Sequence, residues 1–232
     1  MGRRNSKSPT CSKPCSLCAI LKWPNKMEQP SARLILNIEG IDKSYILWNG
    51  TESYFKKLRT AYQDLKADID SEYLYFAFFT LCAATLEYSL NFMLTDFCLN
   101  KYGQKDYKKY AEGYINLSFP KKLLMSPTII SSGKFKFNED NSSYKTLNEL
   151  ITLRNRILHN KEFLKEFDFP PINDIKGGET IEFEIPIEPN HIDTLTKESC
   201  LNIGDALGKF KSSFMIPALT NELVTNEMII RI

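Results

Sequence analysis

Two histidines serve the whole 232-residue chain, and one of them, His159, stands five positions after Arg154 and four after Asn155. Imidazole has an unperturbed pKa of about 6.5 and exchanges protons near neutrality. A guanidinium can hold a phosphate by two parallel hydrogen bonds and offset charge that grows on its oxygens. An amide such as that of Asn155 can position either group or a bound substrate. Together the three residues are equipped for metal-free acid–base chemistry on a phosphate ester, with Arg156 and Asn160 as further polar groups beside them. No Walker loop, no Ser-His-Asp order and no His-Glu-x-x-His pattern competes, and two histidines with scattered carboxylates are a poor basis for a catalytic metal cluster.

The element that must position these groups is the run from Leu147 to Asn160. Leu147, Leu150, Ile151, Ile157 and Leu158 recur at three- and four-residue spacing, the mark of an amphipathic helix. Arg154 falls inside that apolar stripe. A guanidinium there needs a buried partner or must face a cleft or interface, because an unpaired buried charge is expensive. At ~100° and ~1.5 Å per residue, Arg154 and His159 diverge by ~140° and lie ~7.5 Å apart along one helix. Two copies of the helix meeting across a two-fold axis would bring the arginine of one protomer toward the histidine of the other, giving two symmetric composite sites. The plain alternative is a core ion pair for Arg154 and a helix-end role for His159.

The pattern Arg154-Asn155-Arg156-Ile157-Leu158-His159 resembles the signature of the HEPN superfamily (higher eukaryotes and prokaryotes nucleotide-binding): an arginine, a polar residue next, and a histidine after four to six intervening residues. Ala83-Ala-Thr-Leu-Glu87-Tyr-Ser-Leu-Asn-Phe-Met-Leu94 looks like an earlier core helix of that family with its embedded acidic residue. Phe119-Pro-Lys-Lys-Leu-Leu124 resembles a lysine-leucine step ahead of the motif helix. The resemblance spans about residues 42 to 214. It implies a mainly α fold, an up-and-down bundle of four to five helices, and a metal-independent endoribonuclease of toxin or phage-defence type. Such an enzyme leaves a 2′,3′-cyclic phosphate and a 5′-hydroxyl and uses no cofactor. Carried onto this chain, it makes His159 the general acid or base, Arg154 the phosphate clamp and Asn155 a positioning group, with Glu87, Arg156 and Asn160 in support. RNA, a second copy of the chain and a cognate antitoxin are the partners it implies. A HEPN domain without catalysis, serving to bind RNA or to dimerise, is the alternative.

Composition bounds the rest. With 43% hydrophobic and 12% aromatic residues the chain can bury a core, and 30 basic against 28 acidic side chains leave a net charge of +2. Any nucleic-acid site must therefore come from local clustering. The N-terminus lacks the apolar run of a signal peptide, and the apolar stretch from Tyr73 ends at Glu87, too short to cross a bilayer; a cytoplasmic protein with no membrane contact is expected. Met1-Gly2 with Ser6 matches a myristoylation pattern of the kind that recurs by chance.

Residues 1–32 read as a tail rich in Cys, Pro, Ser and Lys, and 33–232 as one helical domain. Cys11, Cys15 and Cys18 have the spacing of the cluster loop in radical S-adenosylmethionine enzymes, but no strand–helix repeats follow and no fourth zinc ligand stands nearby. Unliganded tail cysteines are the simpler reading, and no metal is expected.

Along the domain, Leu34 to Ile38 is either a short strand or the start of the fold. A helix is expected over about 42–69, either continuous or broken at Asn49-Gly50, with Tyr54, Leu58, Tyr62, Leu65 and Ile69 inward and its other face carrying Lys56, Lys57, Arg59 and Lys66. The most apolar helix runs from Ser71 to Leu99 and ends at Gly103, and Glu87 on it requires a cation, Arg154 or Arg156. Lys101 to Tyr110 interleaves lysines and tyrosines, suited to single-stranded RNA or to a solvated connector. A short helix over Lys121–Met125 and a polar loop at 133–143 lead to the motif helix. A β-like insertion at about 172–188, strictly alternating from Thr180 to Ile187, precedes a final helix carrying Ile192, Leu195, Ile203, Leu207, Phe210 and Phe214. His191 at its start is expected to be a surface residue.

Overall fold

The computed structural model describes residues 32–35, 45–67, 71–158 and 191–232. The fold is mainly α, as expected. The first described elements are an antiparallel pair, β1 (Ala32–Ile35) and β2 (Tyr45–Trp48), with Ala32 opposite Trp48. The second strand occupies residues expected to begin a helix. The helix itself, α1, starts only at Thr51 and runs to Lys66. The boundary has a local cause. Asn49 Oδ1 accepts from the Thr51 N–H (3.0 Å) and hydroxyl (2.5 Å), an Asx turn that supplies a missing helix-start acceptor. Gly50 donates its N–H to the Tyr88 hydroxyl at 3.1 Å, and a Cβ there would lie 2.6 Å from that oxygen.

The scaffold is organised around α2 (Glu72–Ile115), against which α1 and α3 (Phe119–Ile130) pack. Phe78, Phe79, Leu86, Leu90 and Leu94 are fully buried along it, each worth ~1.5–3 kcal/mol of burial. By length and composition α2 could cross a membrane; 56% of its apolar window is buried inside the protein, as in a core helix. Gly103 breaks the helical path at φ 73° and ψ 174°, where the sequence expected an end. The connector expected beyond it is instead a second helical segment reaching Ile115.

The helix expected at Lys121–Met125 is longer, with Phe119, Lys122, Leu123, Ser126 and Pro127 on its buried side. A turn through Ser132 (φ 54°) and Gly133 (φ 89°) follows. The loop expected at 133–143 contains β3 (Phe135–Phe137), which pairs antiparallel with β4 (Ile229–Arg231), Phe137 opposite Ile229. Two three-residue strands so far apart in sequence carry too little periodicity to be read locally. Asn141 Oδ1 then accepts from the Ser143 and Tyr144 N–H groups (3.0 and 3.2 Å) and starts α4 (Ser142–Leu158), the motif helix.

A 3-10 turn (His191–Thr194) leads to α5 (Lys197–Phe210), which begins with a reciprocal cap between Thr196 and Ser199. The helix continues through a π-helical segment (Lys211–Met215) into α6 (Ile216–Leu219). This segment turns Phe214 into an aromatic cluster with Phe210 and Phe137, at centroid distances of 5.6 and 4.9 Å. It also buries Lys211, whose ammonium reaches Glu52 of α1 at 2.7 Å. The tail at 1–31 and the β-like insertion at about 172–188 lie outside the described residues.

Where α5 meets α1 and α2, Gly204 is packed so closely that a Cβ would fall 2.6 Å from the Tyr62 ring and 3.1 Å from Phe78. Gly204→Val is expected to cost ~2–3 kcal/mol through overpacking, read as a lower denaturation midpoint. Tyr62 donates to Asp205 at 2.5 Å, and burial first, then the Asp205 carboxylate, hold its phenol well above the ordinary value. The fold thus favours the neutral phenol. That contribution is complete below about pH 10, the unfolded value, and declines as pH rises toward the raised folded value. Denaturation midpoints measured against pH should fall less steeply above about pH 10 in Tyr62→Phe than in wild type.

Candidate functional site

The polar cluster forms where α2, α3 and α4 converge. Glu87 sits on the most apolar helix, one turn before Asn91, so both side chains leave α2 on the same side. Lys122 comes from the buried side of α3 because Phe119, Lys122, Leu123 and Ser126 share helical spacing. Arg154 lies on α4 among Leu150, Ile151, Leu153 and Ile157, which pack on the core.

Glu87 is bound on both sides. Its Oε1 lies 3.4 Å from Lys122 Nζ and its Oε2 3.6 Å from Arg154 Nη2. Lys122 also donates to Asn91 Oδ1 at 2.9 Å, and Arg154 Nη1 donates to Asn155 Oδ1 at 3.1 Å. The Phe119 ring lies beneath both cations, about 6 Å from each (5.9 Å to Lys122 Nζ, 6.0 Å to Arg154 Cζ). Exposure grades outward through the cluster: the Lys122 side chain is 5% exposed, Arg154 22% and Glu87 34%. One carboxylate therefore faces two cations, the inner one sealed and the outer one reachable from solvent.

Of the residues named from sequence, Glu87, Arg154 and Asn155 come together. The cation that Glu87 was expected to need is Arg154, whereas Arg156 is exposed on the opposite side of α4. Its place follows from spacing, since two residues along a helix turn a side chain by ~200°. His159 and Asn160 follow directly on Leu158 in sequence and lie outside the described residues, as do Cys11, Cys15 and Cys18. The side chain of His191 is likewise not described. Among the described residues, no group of three or more His, Cys, Asp or Glu side chains is placed to hold a metal. The described cysteines, Cys82, Cys98 and Cys200, are free thiols inside the core, and burial pushes all three up, Cys200 to about 11. Protonated thiols of that kind are poor nucleophiles and poor ligands.

Lys122 was not anticipated as a partner of Glu87. Its signal was present: a lysine three residues after Phe119 and one before Leu123 occupies a buried helical position. The Lys101–Tyr110 segment is changed more. Tyr102 stacks on Tyr110 across the Gly103 break (3.8 Å, 14°), while Lys101 Nζ sits 5.5 Å from the Tyr102 centroid. Two neighbours thus crowd the Tyr102 ring, which makes it a poor platform for a nucleobase. Lys105, Lys108 and Lys109 remain exposed on this segment.

Replacing Glu87 by leucine would leave Lys122 buried against a single amide. The expected cost is ~1–3 kcal/mol, moderated by the partial exposure of Glu87, or roughly 2–12 °C in Tm at about 2–4 °C per kcal/mol for a chain of this size. Glu87→Gln, which keeps an acceptor for Lys122, should lose less in the same thermal scan.

Compared with known proteins, the chain matches no family model, no curated protein and no solved structure.

Proposed function

We propose that the protein is a metal-independent endoribonuclease of HEPN type, acting in the cytoplasm as a homodimer in a toxin or phage-defence role, with a cognate antitoxin as a further partner. The observation that carries this reading is the state of Arg154. It rises from an apolar helix face to a partly exposed position, with its guanidinium braced by Asn155 and facing, at 3.6 Å, a carboxylate it shares with Lys122. A braced guanidinium at a cluster edge is suited to gripping a phosphate, since little side-chain freedom remains to be lost on binding.

In the proposed reaction the 2′-hydroxyl of RNA attacks the adjacent phosphorus. A general base takes the hydroxyl proton, Arg154 offsets the charge that accumulates on the non-bridging oxygens, and a general acid protonates the departing 5′-oxygen. The P–O5′ bond breaks as the P–O2′ bond forms, leaving a 2′,3′-cyclic phosphate and a 5′-hydroxyl. His159 takes a proton-transfer role and Asn155 positions the guanidinium. Residues five apart would diverge by ~140° if the helix carried on to His159, which is the reason for a two-fold dimer in which each site combines the arginine of one protomer with the histidine of its mate.

A second reading, a non-catalytic HEPN module that binds RNA or dimerises, is favoured by one observation. Arg154 already has a carboxylate within its own chain, which a purely structural arginine would also have.

Incubation with structured RNA in EDTA separates the two. Wild type is expected to cut and leave cyclic phosphate ends, with Arg154→Ala and His159→Ala each reduced at least about 100-fold. Mixing the two inactive variants should restore part of the activity, because the heterodimer regains one site with both groups. Cleavage that persists in both variants, or that requires a metal, would sink the mechanism.

A further inference from the structure

Glu87 divides its carboxylate between two cations, and neither contact is closed. Charge-assisted N–H···O contacts settle at ~2.7–2.9 Å when a carboxylate is fully engaged. Here the distances are 3.4 Å to Lys122 and 3.6 Å to Arg154. The two cations are also unequal in their freedom. Lys122 is sealed in the core, with Asn91 Oδ1 at 2.9 Å as a second acceptor and the Phe119 ring beside it. With its side chain only 5% exposed, it holds Glu87 from the inner side of the cluster. Arg154 meets the other oxygen of the same carboxylate and retains 22% exposure, between the 5% of Lys122 and the 34% of Glu87.

We propose that Lys122 is a positioning residue: by holding one oxygen of Glu87 from inside the core, it keeps that carboxylate from closing on Arg154. The guanidinium thereby stays exchangeable between Glu87 and an incoming phosphate. Without Lys122 the carboxylate would turn wholly toward Arg154, forming a bidentate pair with which a phosphodiester must compete. The consequence for phosphate rests on the clamp role proposed for Arg154, whereas the sharing of Glu87 is a property of the folded chain alone.

The two parts are tested separately. The first experiment needs no ligand: thermal unfolding of Glu87→Gln, Arg154→Gln and the double variant, in wild type and again in Lys122→Met, whose stem fills similar space without the charge. The coupling between Glu87 and Arg154 is expected to be larger in the Lys122→Met background by on the order of 2–4 °C in Tm, with Lys122→Arg behaving as wild type. Equal coupling in both backgrounds overturns the proposal. If Lys122→Met does not fold, Lys122→Gln, which can still donate to Asn91, carries the same comparison.

The second experiment measures binding of a uniformly 2′-O-methylated single-stranded RNA, which cannot be cut through its 2′-oxygen. Lys122→Met should weaken binding by on the order of tenfold, and Glu87→Gln should strengthen it. In the Glu87→Gln background the effect of Lys122→Met should largely vanish, because the carboxylate that Lys122 holds is gone. A loss of the same size in both backgrounds would mean that Lys122 acts only as a distant positive charge, and would overturn the proposal. Binding that ignores Arg154→Ala in wild type counts against the ribonuclease reading alone; the stability cycle then still decides the role of Lys122.

Discussion

A carboxylate midway along the most apolar helix is the constraint around which this molecule is arranged. Glu87 lies between residues buried along α2 and is itself about one third exposed, so its charge is met partly by water and partly by cations. The fold meets it twice, with Lys122 from α3 and Arg154 from α4. Three helices are thereby fixed in rotation at one point. Lys122 could face no other way without stranding a buried ammonium, and Arg154 interrupts the apolar stripe of α4 at the one place where a carboxylate waits. Polar groups of this kind add little net stability compared with apolar ones, but they penalise any register that separates them.

Elsewhere the same problem is solved at lower chemical interest. Lys211, buried in the π-helical segment, is matched by Glu52 at 2.7 Å, one cation to one carboxylate in a closed contact. A hydrogen bond from the neutral Tyr62 phenol to the Asp205 carboxylate likewise ties α1 to α5. These pairs are complete. Among the described residues, the Glu87 cluster differs in setting one carboxylate between two cations and in reaching partial exposure at Arg154. That asymmetry, more than any single residue type, is what makes it the site from which a function is argued.

The lysine-tyrosine segment illustrates how structure redistributes functional weight. In sequence it has the composition of a single-strand binding surface. In the fold, the break at Gly103 doubles the chain so that Tyr102 and Tyr110 stack on one another. Their apolar faces are used in holding the turn, and the exposed lysines beside them are left as a basic rim. The basic face of α1, with Lys56, Lys57 and Lys66 exposed, is similarly a rim around a core-packed helix.

The amino-acid sequence by itself determined the helical class, the central place of α2, a break at Gly103 though not the helix beyond it, the inward face of α4 at Leu147, Leu150 and Ile151 though not at Leu158, which is exposed, and a cation opposite Glu87. These are consequences of periodicity, glycine stereochemistry and the cost of burying charge, which act over a few turns of chain. Only the tertiary structure decided which arginine answers Glu87, that Lys122 shares it, and that Phe137 pairs with Ile229. It also decided that residues 45–48 form a strand where a helix was expected, since β2 depends on its pairing with β1 and not on its own pattern. The physical reason is common to all of these. An ion pair or a strand ladder joins residues far apart in the chain, and its energy depends on a distance that no local spacing contains.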